Sequence, residues 1–390
     1  MLSQLPALED LVLAESLSTD VARPLLDLRV ATGDGSLAAI AGGKRLRSLV
    51  LGSCVADAAG FEALAENPVA RLQLEGICAT QPVARRRVPL AGEAYVAIGK
   101  LVTLRELRFG DVVSPKLVAN LGEQPHLAAL DLDRADGLHG GAIGRAIAGL
   151  THVRRLSADG ADIDKEALLG LTESKSIVDL RLGGDVSCDD EVIAAVAKMP
   201  ALRRLALPFS HAVTDDGMAS LATTQLEHFA LITTNDLTPE GLVQLPKGLR
   251  SLVSEASPLD AAVFAHLDRL REVELEFYMG HSHRLIVDLH ASPSCGTLEK
   301  LTLVGELGGL ESVERLLDFP ALRVLDCSDA NGGLPEELVA SLRQRRVAVT
   351  LPPEGEESPM ELFEAAPMGG GGQQEGGQKE GKEGRQRRRR

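Results

Sequence analysis

The sequence predicts an α/β array of repeated strand and helix units, and three observations lead there. Leucine supplies 64 of the 390 residues while Phe, Tyr and Trp together make up 3%, so the core must be aliphatic. The pattern Leu-x-x-Leu-x-Leu returns at nearly constant spacing down the chain. Between the returns lie stretches that are apolar at every third or fourth residue, the period of a helix with one buried face. A length of 390 residues accommodates two ordinary domains or one extended array. Self-similarity at a period near 24 residues favours the array.

Each return reads as a short strand whose fourth and sixth positions point inward. In order they are LRSLVL from Leu46, VARLQL from Val69, LRELRF from Leu104, LAALDL from Leu127, VRRLSA from Val153 and IVDLRL from Ile177. LRRLAL from Leu202, LEHFAL from Leu226, LRSLVS from Leu249, LREVEL from Leu270, LEKLTL from Leu298 and LRVLDC from Leu322 follow. The steps between them are 23, 35, 23, 26, 24, 25, 24, 23, 21, 28 and 24 residues. LEDLVL from Leu8 and LLDLRV from Leu25 read as two further copies, for about 12 to 14 repeats. The intervening helices include DDEVIAAVAKMP from Asp189, DDGMASLA from Asp215 and PEGLVQL from Pro239. Several open with Ser, Thr or Asp, the residues whose side chains cap a helix N-terminus.

This pattern resembles the leucine-rich-repeat family over about residues 8 to 351, and most closely its bacterial or ribonuclease-inhibitor-like, helix-rich versions. The resemblance implies a curved solenoid, with a parallel β-sheet on the concave side and helices on the convex side. The physics agrees: one unit cannot bury its apolar face alone, and stacked neighbours share one continuous core. The family often carries Asn three residues after the last strand leucine, bonding backbone groups between turns. Here that column holds Cys54, Ile77, Ala135, Asp185, Ser210, Thr234 and Ser257. Stapling between turns is therefore expected to rest on mixed small polar groups.

The solenoid is expected over residues 1–351, ending in the alternating segment Val347–Leu351, with a disordered Gly/Glu/Arg-rich tail over 352–390. No dedicated N-terminal cap is evident. The tail closes on Arg385 and Arg387–Arg390, which could make weak contact with nucleic acid. Upstream, SPMELFEAA from Ser358 has the pattern of a short amphipathic docking segment. Two units carry insertions, a basic loop over 82–89 and a histidine-bearing loop over 280–290.

The search for catalytic chemistry is negative, so the expectation is a protein that is not an enzyme and needs no cofactor. There is no Gly-x-Ser-x-Gly elbow. The segment from Ala38 has Ala38 and Arg45 where a phosphate-binding loop needs Gly and Ser or Thr. Gly137, Gly140, Gly141 and Gly144 open a helix without the strand and downstream acid of a dinucleotide site. His281 and His283, with His290 and either Asp288 or Cys295, form the one alternative worth naming, a metal-dependent site. The five cysteines are scattered and never spaced Cys-x-x-Cys, which reads as reduced core residues of a cytoplasmic protein. No apolar run reaches the 18 residues that span a bilayer. The net charge of −15 and the scarcity of aromatic rings argue against nucleic acid as the main partner.

In the family, positions two, three, five and seven of each unit project to the concave side. Over the twelve units those positions hold 13 acidic and 13 basic residues, so patterning rather than net charge must carry recognition. Central units present Arg154, Arg155, Arg181, Arg203 and Arg204, with His228 and Phe209 beside them. Later units present Glu255, Glu272, Glu274 and Glu276, with Phe277 and Tyr278 beside them. The expected function is a monomeric, non-enzymatic scaffold that binds a partner protein on a face with a basic centre and an acidic flank. The alternative is the substrate-recognition subunit of a larger enzyme complex, such as a ubiquitin ligase.

Overall fold

The structure, a computed structural model, describes residues 9–13, 37, 41, 44–52, 58–75, 92–183, 188–208, 212–232, 237–255, 258–277, 284–307, 313–331 and 333–352. Pro353–Arg390 forms a unit separate from Met1–Pro352, and the tail expected over 352–390 lies outside the described residues except for Pro352. The basic insertion over 82–89 also lies outside them.

Each motif becomes a strand because its fourth residue, and in most units its sixth, is large and apolar while the positions between them face the other way. The strands are β1 (Asp10–Leu13), β2 (Ser48–Gly52), β3 (Arg71–Glu75), β4 (Glu106–Phe109), β5 (Ala129–Asp131), β6 (Arg155–Asp159), β7 (Asp179–Gly183) and β8 (Arg204–Pro208). They continue as β9 (His228–Ile232), β10 (Ser251–Glu255), β11 (Glu272–Phe277), β12 (Lys300–Glu306), β13 (Val324–Asp326), β14 (Ala330–Asn331) and β15 (Ala348–Thr350). All pair in parallel, in chain order from β1 to β13 and then β15, with β14 beside the far end of β12. Residues of equal motif position stand side by side, as Leu156 does with Leu180 and Leu180 with Leu205. From β2 onward one face of the sheet is therefore apolar except for the buried Ser254 of β10. Position four is buried from Leu49 to Leu325, and Phe61, Phe109, Phe229, Phe264 and Phe319 fill the widest parts of the core. Cys188 and Cys327 are both buried in this core.

Of the two first copies expected, the one at Leu8 gives β1, which pairs with β2, Asp10 opposite Ser48. The copy expected at Leu25 lies outside the described residues.

Among the described residues, polar side chains ahead of the strand staple neighbouring turns, and the column expected after it lies outside the described residues except for Ala135. Buried Asn67 accepts from the backbone N–H of Leu46 at 3.2 Å and donates to the carbonyl of Ala41 at 2.8 Å, both in the preceding turn. Gln124 donates to the carbonyls of Ile98 and Gly99, Ser176 to Leu150, and Ser294 to Leu267. At position two, one carbonyl accepts two N–H groups of the next turn, as Arg154 does from Val178 and Asp179 at 2.7 and 3.0 Å. Helix starts are linked as well. The carboxylate of Asp190 accepts from the backbone N–H and the hydroxyl of Thr214 at 2.8 and 2.6 Å, and Asp215 does the same for Thr238 at 2.9 and 2.6 Å. Those at Leu46, Ile98, Leu150 and Leu267 satisfy backbone groups that would otherwise be buried without partners.

The glycines from Gly137 to Gly144 have a packing role. Gly137 and Gly140 turn the chain at φ of 83° and 80°. Gly144, in the helix Gly141–Ala148, lies where a side chain would strike the backbone of Ala167 and Leu171 in the helix Lys165–Leu171. Gly170 faces Gly141 across the same contact. The Gly-rich run thus lets two helices touch backbone to backbone.

Candidate functional site

The second face of the sheet carries no helix among the described residues, and its side chains come from motif positions three, five and seven. Position two stands just ahead of each strand. In-register pairing turns each position into a lateral row. Arg155, Asp179, Arg204 and His228 form one such row across β6 to β9. Arg154, Val178, Arg203 and Glu227 precede them, linked by backbone hydrogen bonds of 2.7 to 2.8 Å. Five residues expected from the sequence, Arg154, Arg155, Arg203, Arg204 and His228, are thereby brought together, and Arg181 stands two residues on from Asp179 along β7. Glu274 and Glu276 stand apart on β11, with β10 between them and this group. Tyr278 and Phe209 lie outside the described residues.

The basic centre is more neutralised than its composition suggests. The Nε and Nη2 of Arg181 both donate to Asp159 Oδ2, at 3.1 and 2.8 Å. Arg204 Nη1 lies 4.0 Å from Asp179 Oδ2, and Arg155 Nη2 lies 3.7 Å from Glu106 Oε1, two strands away. Arg154 instead donates to the carbonyl oxygen of Ser176 at 3.2 Å. Arg203 donates to the carbonyl oxygen of Leu202 at 2.8 Å and to Gln225 Oε1 at 2.5 Å. Exposed ion pairs of this kind contribute little to stability, so their weight lies in setting the face's potential. Partial burial lowers the pKa of His228 and Arg204 lowers it further, against the pull of Glu272, Glu227 and Asp179, which leaves the imidazole neutral at pH 7.

The acidic flank is built on β11 and β13. Glu274 pairs across Thr302 with Asp326 in one row, and Lys300 stands beside Glu272. Half-burial pushes the carboxyl of Glu274 above the usual carboxylate range. Lys300 pulls it down, and Glu276, Asp326 and Asp329 add to the rise. The flank therefore holds its negative charge under internal repulsion, which a cation from outside would relieve.

Sequence reasoning missed the partners Glu106, Gln225 and Ser176. Glu106 shares motif position three with Arg155, so reading the columns across repeats would have found it. Gln225 and Ser176 fall outside the strand motif and carry no such signal.

The metal alternative finds no support in the histidine that can be seen. His281 and His283 lie outside the described residues. His290 is packed edge-on against Phe319 with ring centroids 5.8 Å apart. Arg315 Nη1 lies 3.2 Å from its Nδ1, and its Nε2 is 3.6 Å from Asp318 Oδ2. Both ring nitrogens are thus engaged by protein groups. Among the described residues, no group of three His, Cys, Asp or Glu side chains is placed to hold a metal. Among them too, no helix is long and apolar enough to cross a membrane.

No protein-family model matches the chain, and no curated protein matches it. Solved structures do. A chain of the Rad7 and Elc1 complex in yeast is similar at 17% identity and a TM-score of 0.50, covering 75% of this chain and 78% of that one. An internalin (inlF) from Listeria monocytogenes str. 4b F2365 is similar at 17% identity and a TM-score of 0.42, over 75% of this chain and 76% of its own. A chain of the TLR13–ssRNA13 complex is similar at 15% identity and a TM-score of 0.41, over 77% of this chain and 51% of its own. One strand per repeat in an open, wholly parallel sheet, helices along one side, and the likeness to the Rad7 and Elc1 structure make this fold an α/β leucine-rich-repeat solenoid.

Proposed function

We propose that this protein is a non-enzymatic scaffold that recognises a partner protein on the helix-free face of its sheet, with Arg154, Arg155, Arg181, Arg203, Arg204 and His228 at the basic centre and Glu274, Glu276 and Tyr278 at the acidic flank. The observation that carries this reading is the asymmetry of the sheet. One face is buried throughout against helices. The other presents rows of charged residues in register and, among the described residues, has nothing packed on it. Such complementary patches steer association and fix orientation more than they add affinity. In this reading residues 1–351 form the binding body, 352–390 a separate tail, and the protein acts as a cytoplasmic monomer built of helix-rich repeats.

Affinity capture followed by mass spectrometry tests it. The comparison is wild type against R155E/R204E on the open face and K116E/K198E on the helix side, each checked for folding by circular dichroism. A partner held by wild type and K116E/K198E but lost by R155E/R204E is expected. Equal capture by all three proteins would remove this face as the binding surface.

A further inference from the structure

The internal ion pairs do not use all of the charge at the basic centre. Four guanidiniums, those of Arg154, Arg155, Arg203 and Arg204, line one shallow hollow on the sheet, and the acids that line it with them are Asp179 and Glu227. Arg155 and Arg204 have carboxylates of their own, Glu106 and Asp179. Glu227 is drawn outward, with its Oε2 at 3.4 Å from Arg250. Among the described residues, Arg154 and Arg203 are bonded only to the neutral acceptors of Ser176, Leu202, Pro200 and Gln225. The hollow therefore holds two more cationic groups than acidic ones, and His228 adds none at neutral pH.

These two arginines are placed to act together. Val178 donates to the carbonyl of Arg154 at 2.7 Å, and Arg203 donates to the carbonyl of Val178 at 2.8 Å. They thus sit on either side of one residue, two strand spacings or about 10 Å apart at Cα. Val178 between them is half-buried and supplies an apolar floor. A guanidinium is a planar fork that matches a carboxylate with two parallel N–H bonds, and it sheds water more readily than an ammonium group. To bind a new acid, Arg154 and Arg203 give up neutral oxygens only. Arg155 and Arg204 would have to leave a carboxylate, so they are the weaker candidates despite being equally charged.

We propose that Arg154 and Arg203 are the anchor pair for an acidic segment of the partner protein, one carboxylate of which seats over Val178. This deepens the reading of the helix-free face as a protein-binding surface and rests on it. The same geometry sets the partner's polarity. Four strand spacings, about 19 Å, separate β7 from β11. There Glu272, Glu274 and Glu276, with Asp326 on β13, repel a continuing run of acids. The partner is acidic over β6 to β8 and basic over β11 to β13.

Fluorescence anisotropy with the full chain and a labelled, acetylated hexaglutamate peptide at low ionic strength tests the anchor. Wild type binds the peptide saturably, and added salt weakens binding. R154A/R203A weakens it at least tenfold, and R154K/R203K falls between the two because charge is kept and the fork is lost. R105A/R323A, which removes the same charge at the same motif position outside the hollow, stays within twofold of wild type. Three results would overturn the proposal: no saturable binding by wild type, R154A/R203A within twofold of it, or labelled hexathymidylate binding more tightly than hexaglutamate. The last would make the hollow a site for nucleic acid backbone. If the captured partner survives R154A/R203A but not R155E/R204E, the anchor is wrong while the face still binds. If neither variant affects capture, both readings fall.

Discussion

Replacing Gly144 by alanine sets two effects against each other. Gly144 lies inside the helix Gly141–Ala148, where alanine is favoured over glycine by about 1 kcal/mol. Propensity alone thus makes Gly144→Ala stabilising. The structure reverses the sign. The new methyl would fall on the carbonyl oxygen of Ala167 and lie 2.8 Å from both the carbonyl carbon of Ala167 and the amide nitrogen of Leu171, where ordinary contact begins at 3.4 Å. All three atoms are backbone of the helix Lys165–Leu171, so no side chain can rotate away. The two helices must separate, loosening Ile143, Ile147, Ala167 and Leu168 in the core between them. Overpacking of this kind costs about 1–3 kcal/mol, and the lost dispersion contacts add to it. The net expectation is destabilisation by roughly 1–2 kcal/mol after the propensity gain is subtracted. Urea denaturation of wild type, Gly144→Ala and Gly248→Ala measures this. At Gly248 an added Cβ meets nothing within 4 Å, and stability is expected to stay equal or rise by a few tenths of a kcal/mol. A midpoint for Gly144→Ala at or above that of wild type would refute the close-helix argument. Because a solenoid's stability is a sum over neighbouring units, the weakened junction should also broaden the transition or split it in two.

Other expectations follow from the staples and the core. Asp190→Ala removes both bonds to Thr214 and should lower stability by about 1–2 kcal/mol in the same denaturation assay. Asp190→Asn should cost less, since its side-chain carbonyl can still accept one of them; an equal loss in both variants would show that charge, not hydrogen bonding, holds the junction. Burial pushes the Cys327 thiol up to about 12, with Asp326 adding to the rise. At pH 8 its thiolate fraction in the folded protein is then on the order of one in ten thousand. A thiol-reactive disulfide reagent should modify Cys327 in urea and not in buffer, as peptide mass mapping can read. Rapid native labelling at Cys327 would contradict its place in the core.

The columns of the motif are legible in the amino-acid order itself, because a strand alternates faces with a period of two and the repeat carries that alternation forward unchanged. Leu49, Leu72, Leu107 and their successors name the buried row, and Arg155, Asp179 and Arg204 name a row on the opposite face. The stapling is not legible in the same way. Asn67, Gln124, Ser176 and Ser294 bond the turns from the segment ahead of the strand, which the motif's columns do not cover. Those residues differ in type and in distance from the strand, so no fixed position announces them. The glycines at 137, 140, 141 and 144 resemble a weak ligand loop in sequence, because a sequence shows that a side chain is missing and not what takes its place.

By itself, then, the sequence determined the repeated strands from Leu46 to Leu325, which face of each is buried, and that charge of both signs lines the other face in equal measure. Those are local properties, set by residue type and spacing along the chain. Tertiary structure alone decided which charges cancel. Arg155 finds Glu106 across two strands, Arg204 finds Asp179 across one, and among the described residues Arg154 and Arg203 find only neutral oxygens. Ion pairing depends on side-chain reach and on which strands lie within a few ångströms, and that distance exists only once the repeats have stacked.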